Sequence, residues 1–422
     1  MNRTCVVACL SGASLIAANA PAIVWNDPPA VARAAADVSP SLAALKYQIA
    51  AARERIIPAG SLPNPMVMGG VQNQQADLSI DRMMTMYWAG ASQTLTRRSK
   101  RVAQRTEAEL EVRRLEREYE SVRAEVERDA LLAYYDAAAA QSQVAATSEI
   151  VALAKQTTSA ARSQYETGSS PQADLIRAML EEKNLEHDLL ALESRRRQAA
   201  AKLAALLNVA LSDVPKFTLT HAAQHEHGTF DPSLDPTNPA FASLQIQVEE
   251  AEQEITLAKL AFKPDLGVEA SYGVRPYQKD VVSITGRIEL PFRKSALLEP
   301  RIREAIARRD AAKQQIDILR LRLTQDMGVA AASRQEAIDQ IGLHESELVP
   351  AAKLGFESAL ASYQTGKTTF ESVLASLRTY VNLNVDYFAF LKQELQAEAD
   401  IDALRRGARG GALSGAPSME MR

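Results

Sequence analysis

The chain of 422 residues states one pattern twice. Tyr165-Glu166-Thr167-Gly168 recurs as Tyr363-Gln364-Thr365-Gly366, a shift of 198 positions. Pro40 and Pro65 recur as Pro239 and Pro264, a shift of 199. Between those prolines the apolar positions keep step: Leu45 with Leu244, Ile49 with Val248, Ala52 with Ala251, Ala59 with Ala258. Register held at both ends of so long a unit marks a tandem duplication. The fold is thereby confined to two copies of one topology.

Each copy opens with a helical segment, about 39–61 and 238–261. Ser39-Pro40 and Asn238-Pro239 supply a capping side chain and a proline suited to the first helical turn. Pro58 is placed to end the first segment a little early. Extended runs follow, at about 65–73 and 83–95 in the first copy and about 265–274 and 281–291 in the second. In the second copy the alternation is clean. Leu266, Val268, Ala270, Tyr272 and Val274 share one face, as do Val282, Ile284, Gly286, Ile288 and Leu290. Period-two patterning describes strands with one apolar and one polar face. In the first copy Met84, Met86 and Trp88 fall on one face of a looser pattern.

A much longer element comes next. No glycine or proline occurs between Ser99 and Tyr165, and the run about 99–165 predicts a helix of about 100 Å. Its apolar seam steps by three and four residues through Val112, Leu115, Tyr119, Val122, Val126 and Ala130, as in coiled-coil packing. Gly168 ends it and Pro171 begins a return helix to about 207. The second copy runs similarly over about 297–362, turns at about 363–370 and returns to 406. Pro350 is expected to kink or unwind its long helix.

The domain plan is therefore a leader at 1–20, an N-terminal segment at 21–38, repeat 1 at 39–207, a connector at 208–237, repeat 2 at 238–406 and a disordered tail at 407–422. Arg3, the weakly apolar Thr4–Ala17 and the small-residue site Ala18-Asn19-Ala20 have the order of a secretory signal. Val6-Val7-Ala8-Cys9 offers a lipidation site, but the apolar stretch before it is short. Both cysteines, Cys5 and Cys9, precede the cleavage point, so the mature chain is expected to hold no disulfide.

Several function classes are disfavoured. Net charge is −4, and no basic block interleaved with aromatics suggests nucleic acid. No GxSxG, HExxH or Gly-rich phosphate loop is present, so neither enzyme nor cofactor is expected. No mature segment offers the roughly 18 to 20 apolar residues of a membrane helix, whereas each strand approaches the roughly 9 to 11 of a membrane strand. Four strands cannot close a barrel; three chains would supply twelve. His221, His225 and His227 have spacing compatible with zinc or copper, but a polar connector is the favoured reading, and no metal site is assigned. The methionines at 66, 68, 83, 84 and 86 read as lipid-facing apolar residues rather than copper ligands.

Helix, strand, loop, strand, very long helix, turn and helix, repeated once, resembles the TolC family of outer-membrane efflux proteins. The residues that carry the resemblance are Leu62-Pro63-Asn64-Pro65, Ser92-Gln93-Thr94-Leu95 with Arg97 to Arg101 behind it, and the two turn motifs, Tyr165–Ala178 and Tyr363–Ser376. The Leu62–Pro65 element and Pro350 are most similar to the heavy-metal, CusC/CzcC-like branch. The resemblance implies a mainly α fold with a small β part. Three chains would form an α-helical tube under a shared 12-stranded transmembrane barrel. It also implies a homotrimer in outer-membrane lipid that meets a periplasmic adaptor and an inner-membrane pump of the RND type. Tyr165, Gly168, Pro171, Tyr363, Gly366 and Lys367 would form the docking tip, and Asp174, Glu371 and Ser372 the gate or lumen. The alternative, a periplasmic adaptor or coiled-coil scaffold, calls for one helical hairpin between β-rich domains, and the duplication argues against it.

Overall fold

The computed structural model describes residues 23–73, 84–217, 219, 237–276, 278–288, 290 and 294–409. The leader and His221, His225 and His227 lie outside the described residues. The N-terminal segment contains α1 (Pro28–Val38), and repeat 1 contains α2 (Pro40–Gly60), β1 (Met66–Gln72), β2 (Met86–Leu95), α3 (Arg98–Glu166) and α4 (Gln172–Leu207). Repeat 2 contains α5 (Pro239–Leu260), β3 (Leu266–Val274), β4 (Val281–Ile288), α6 (Glu299–Leu343), α7 (Val349–Gln364) and α8 (Phe370–Arg405).

The segment at 21–38, read above without structure of its own, contains α1. Its Ala-rich stretch is too short to show a period, and it is held by packing. Val31, Ala32 and Ala35 bury against Ala130, Ala133 and Leu203. Beside them Tyr134 stacks on Phe217 at 4.5 Å and donates to the Trp25 carbonyl at 2.9 Å. Pro58 does not end α2, which continues to Gly60. Ser61 recovers the freed carbonyls: its hydroxyl donates to Ile57 O at 2.7 Å and its N–H to Pro58 O at 3.1 Å.

The four strands form one antiparallel sheet in the order β1-β2-β3-β4, so β2 on β3 joins the repeats. Paired residues share a face, and the register thereby sorts both halves. Val67, Val71, Tyr87, Leu95, Val268, Tyr272, Val282 and Ile284 lie on one face, where all are exposed. Met66, Met68, Met86, Trp88, Ser92, Glu269, Ser271 and Ser283 lie on the other. The expectation that these methionines share the apolar face is therefore corrected for Met66, Met68 and Met86. Repeat 1 is too glycine-rich and irregular to reveal its phase until β2 pairs with β3.

The second long helix is not continuous α-helix over 297–362. A π-helical turn at Lys294–Leu298 precedes α6, and another at His344–Leu348 separates α6 from α7. Pro350 lies in the first turn of α7, and the wider turn before it accommodates a ring that cannot donate an N–H. His344 is buried there, with Nδ1 at 2.7 Å from Gln340 O and its ring against Phe390.

α3 is the spine, packing on α2 and α4 and, across the repeats, on α5 and α8. Arg128 and Asp400 form a 2.5 Å ion pair between α3 and α8, each side chain 10% exposed. The tail expected from 407 begins in order. Ser121 donates to Gly407 O at 2.5 Å, Ala408 is buried, and Arg409 N–H donates to Glu125 at 3.1 Å. Polar partners on α3, too remote in sequence to anticipate, hold these residues; those after 409 lie outside the described part. Among the described residues no helix is long and apolar enough to cross a membrane.

Candidate functional site: the paired helical tips

Both long hairpins reverse through one backbone motif. Gly168 and Gly366 each have φ +71°, a conformation that costs little only for glycine. Ser169 N–H donates to Gln164 O at 2.8 Å, and Lys367 N–H to Ser362 O at 2.9 Å. This six-to-one bond closes a helix C-terminus. Thr167 Oγ1 donates to the carbonyls of Ser163 and Gln164, both at 3.1 Å, and Thr365 Oγ1 repeats this toward Ala361 and Ser362. The threonines were not singled out from sequence, although their presence in both motifs was the available signal. Pro171 caps α4 from just outside, with Gln172 first in the helix, and Thr369 occupies the same position before α8.

Around this common turn the surroundings diverge. Tyr165 is 41% exposed, whereas Tyr363 is 5% exposed and packs on Phe370 at 5.2 Å between ring centres. Tyr363, Phe370, Phe356 and Val373 form one core with Ile150, Ala154, Ala161 and Leu185 of the first hairpin. The Tyr363 hydroxyl is buried within that core and makes no hydrogen bond among the described residues.

Three polar links bind the hairpins near the tips. Gln164 Nε2 donates to Gln364 O at 2.7 Å. Arg177 meets Glu371 at 2.7 Å, with both side chains half exposed or more. Arg378 donates twice to Glu181, at 2.9 and 2.6 Å, and Glu181 is buried. Glu371 is thus brought to a partner. Asp174 is half-buried in the first turn of α4, and Lys367 is exposed; neither forms an ion pair among the described residues. Ser372 is exposed, with Oγ 3.2 Å from Thr369 Oγ1. Sequence reading missed Gln164, Arg177, Glu181 and Arg378, whose pairing depends on contact between the repeats.

At the other end of the helices an acidic cleft of about 700 Å³ lies between α2, α3 and α5. Glu107, Glu111, Glu250 and Glu254 line it with Arg55 and Arg114. Burial, then the charges of Glu254 and Glu111, raise the Glu107 pKa above its ordinary value. Glu250 is also raised, because burial outweighs Arg114 at 3.3 Å. Among the described residues no group of three or more His, Cys, Asp or Glu is arranged to hold a metal ion.

The chain thus sets long helical hairpins at one end against a four-stranded sheet with an exposed apolar face at the other. The family model for outer membrane efflux proteins matches residues 31–209 and 234–405. The chain belongs to that family. Membership makes it an outer membrane efflux protein. The fold is also that of VceC from Vibrio cholerae, with a TM-score of 0.76 at 17% identity over 91% of this chain and 97% of that one. CusC gives 0.78 at 16% over 92% and 93%, and the open state of MtrE from Neisseria gonorrhoeae gives 0.73 at 14% over 90% and 89%. No curated protein is detectably similar in sequence.

Proposed function

We propose that three copies of this chain form one export duct. Their sheets close a shared 12-stranded barrel, and their helices form a tube whose lower end is built from the paired tips. The observation that carries this reading is the placement of the sheet. Among the described residues each chain contributes four strands with one exposed apolar face, and β1 and β4 are left as free edges. Such edges in a membrane require a partner strand. A second copy supplies it, β4 of one chain beside β1 of the next.

In this reading Tyr165, Gly168, Pro171, Tyr363, Gly366 and Lys367 shape the end that meets a periplasmic adaptor, and an RND-type inner-membrane pump supplies the energy. Asp174, Glu371 and Ser372 face the narrowing. The unpaired Asp174 and Lys367 suit contacts with other chains rather than within one. The cargo we propose is heavy-metal cations, on the strength of Leu62–Pro65 and of Pro350 ahead of the second tip. The solved relatives give no preference for that branch, since VceC and CusC are comparably close in fold.

A deletion strain challenged with copper, zinc, cobalt and a panel of dyes tests cargo. Sensitivity to metals alone is expected; sensitivity to dyes alone overturns the metal reading. Crosslinking cysteines placed on β1 and β4 tests closure. A trimer linked edge to edge is expected, and a monomer in intact outer membranes overturns the shared barrel.

A further inference from the structure

The basic stretch Arg97, Arg98, Lys100 and Arg101 plays no part in the tips and sits where local electrostatics disfavour it. It opens α3, whose first turn holds no acid. The start of a helix carries partial positive charge and favours carboxylates instead. One acid from the other repeat serves it: Asp265 accepts from Arg97 N–H at 3.0 Å and from Lys100 Nζ at 2.8 Å. Arg101 is occupied with the Gly60 and Thr96 carbonyls, both at 3.3 Å. The side chains of Arg97, Arg98 and, between α5 and β3, Lys263 are exposed and form no ion pair among the described residues, although the Arg97 charge is near enough to help lower the Asp265 pKa.

These cations border the apolar face of the sheet. Tyr87, Ala89, Ala91 and Leu95 of β2 lie on that face through their pairing with β3. Arg97 lies two residues beyond Leu95, where β2 ends, and directly before the first residue of α3. Leu95 and Leu266, paired at the helix-side end of β2 and β3, form an exposed apolar rim there. An apolar rim followed by unpaired cations matches the boundary between hydrocarbon and phosphate in a bilayer. A guanidinium there can donate two hydrogen bonds to one phosphate.

We propose that Arg97, Arg98 and Lys263 bind the headgroup phosphates of anionic phospholipids in the leaflet on the helix side of the sheet. They thereby set the depth at which the sheet sits. This rests on the reading that the apolar sheet face meets hydrocarbon.

The test uses the full chain, reconstituted into vesicles of phosphatidylcholine alone or mixed with phosphatidylglycerol. Flotation and protease protection read incorporation. Phosphatidylglycerol is expected to favour the wild type, and each charge removed in the triple variant Arg97→Gln, Arg98→Gln, Lys263→Gln lowers that preference about fivefold. Salt at about 0.5 M weakens it. The triple variant still enters phosphatidylcholine as the wild type does, and Arg97→Lys with Arg98→Lys retains most of the preference. An unchanged preference in the triple variant overturns the proposal. So does an equal loss on neutralising Arg196 and Arg197 of α4, remote from the sheet, because net charge alone would then explain it. If the wild type enters neither vesicle, the membrane-facing assignment of the sheet fails, and the proposal fails with it.

Discussion

At the first tip Tyr165 stands 41% exposed, while its counterpart Tyr363 at the second is 5% exposed against Phe370. The backbone at the two sites is the same, down to a glycine φ of +71° and a threonine hydroxyl bonded back to two carbonyls. One substitution accounts for much of the difference: the position of Phe370 is taken by Gln172 in repeat 1. An aromatic ring there gives Tyr363 a surface to bury against; an amide does not. The duplication thus preserved the turn, whose requirements are local, and let the packing around it diverge. In the proposed duct, the second tip is the anchored one and the first is free to engage other chains.

The largest expected separation comes from truncating the tyrosines. Tyr363→Ala empties a packed site and should cost about 3–5 kcal/mol, whereas Tyr165→Ala should cost less than about 1 kcal/mol. Thermal melts of the purified protein in detergent check this, and equal losses would abolish the distinction between the tips.

Valine at either glycine should cost roughly 1–3 kcal/mol, because a branched side chain is strained at positive φ. Here the tips should agree. Both Gly168→Val and Gly366→Val should impair efflux while leaving membrane insertion intact. Wild-type resistance in both mutants would remove the tips from the transport path.

The ion pairs should separate again, by less. Arg378→Ala strands a buried Glu181 and should cost about 1–3 kcal/mol. Arg177→Ala loses an exposed pair worth under about 1 kcal/mol. A double-mutant cycle with Glu181→Gln and Glu371→Gln measures each coupling, and a stronger Arg177–Glu371 coupling would reverse the ranking.

The smallest effect tests whether the asymmetry extends to the other end of the helices. Under the 198-residue shift, Glu107 corresponds to the buried Ala305. Burial and neighbouring glutamates raise the Glu107 pKa in the folded protein, so the folded state binds its proton more tightly than the unfolded chain does. The penalty for ionisation is fully present above the raised folded pKa and vanishes below the ordinary value of 4.5. Glu107→Gln should therefore stabilise by less than about 1 kcal/mol at neutral pH, because partial solvent exposure screens the penalty. That gain should disappear in acid. A gain independent of pH would assign the effect to packing instead.

Much of this molecule was legible in its residues. The absence of glycine and proline over 99–165 announces α3, and the alternation after Pro264 announces β3 and β4. The looser pattern of repeat 1 misled. Met68 and Met86 look like members of an apolar face, yet their pairing with Gly90 and Gln72 puts them on the other one. The candidate tip residues were found from the repeated motif. Glu181 and Arg378, which tie the tips together, carry no motif and lie 197 positions apart.

The division follows range. The sequence by itself determined the duplication, the two reversals and the strand pair in each repeat, because these depend on neighbours along the chain. Helix continuity, a glycine at positive φ, and alternation with period two or near three and a half are all of that kind. Only the tertiary structure decided that β2 pairs with β3, that Tyr363 is buried and Tyr165 is not, that Asp265 serves the start of α3, and that residues 407–409 are held against it. Those outcomes depend on how two nearly equivalent halves dock. Docking is set by the summed fit of surfaces far apart in sequence, which no local pattern records.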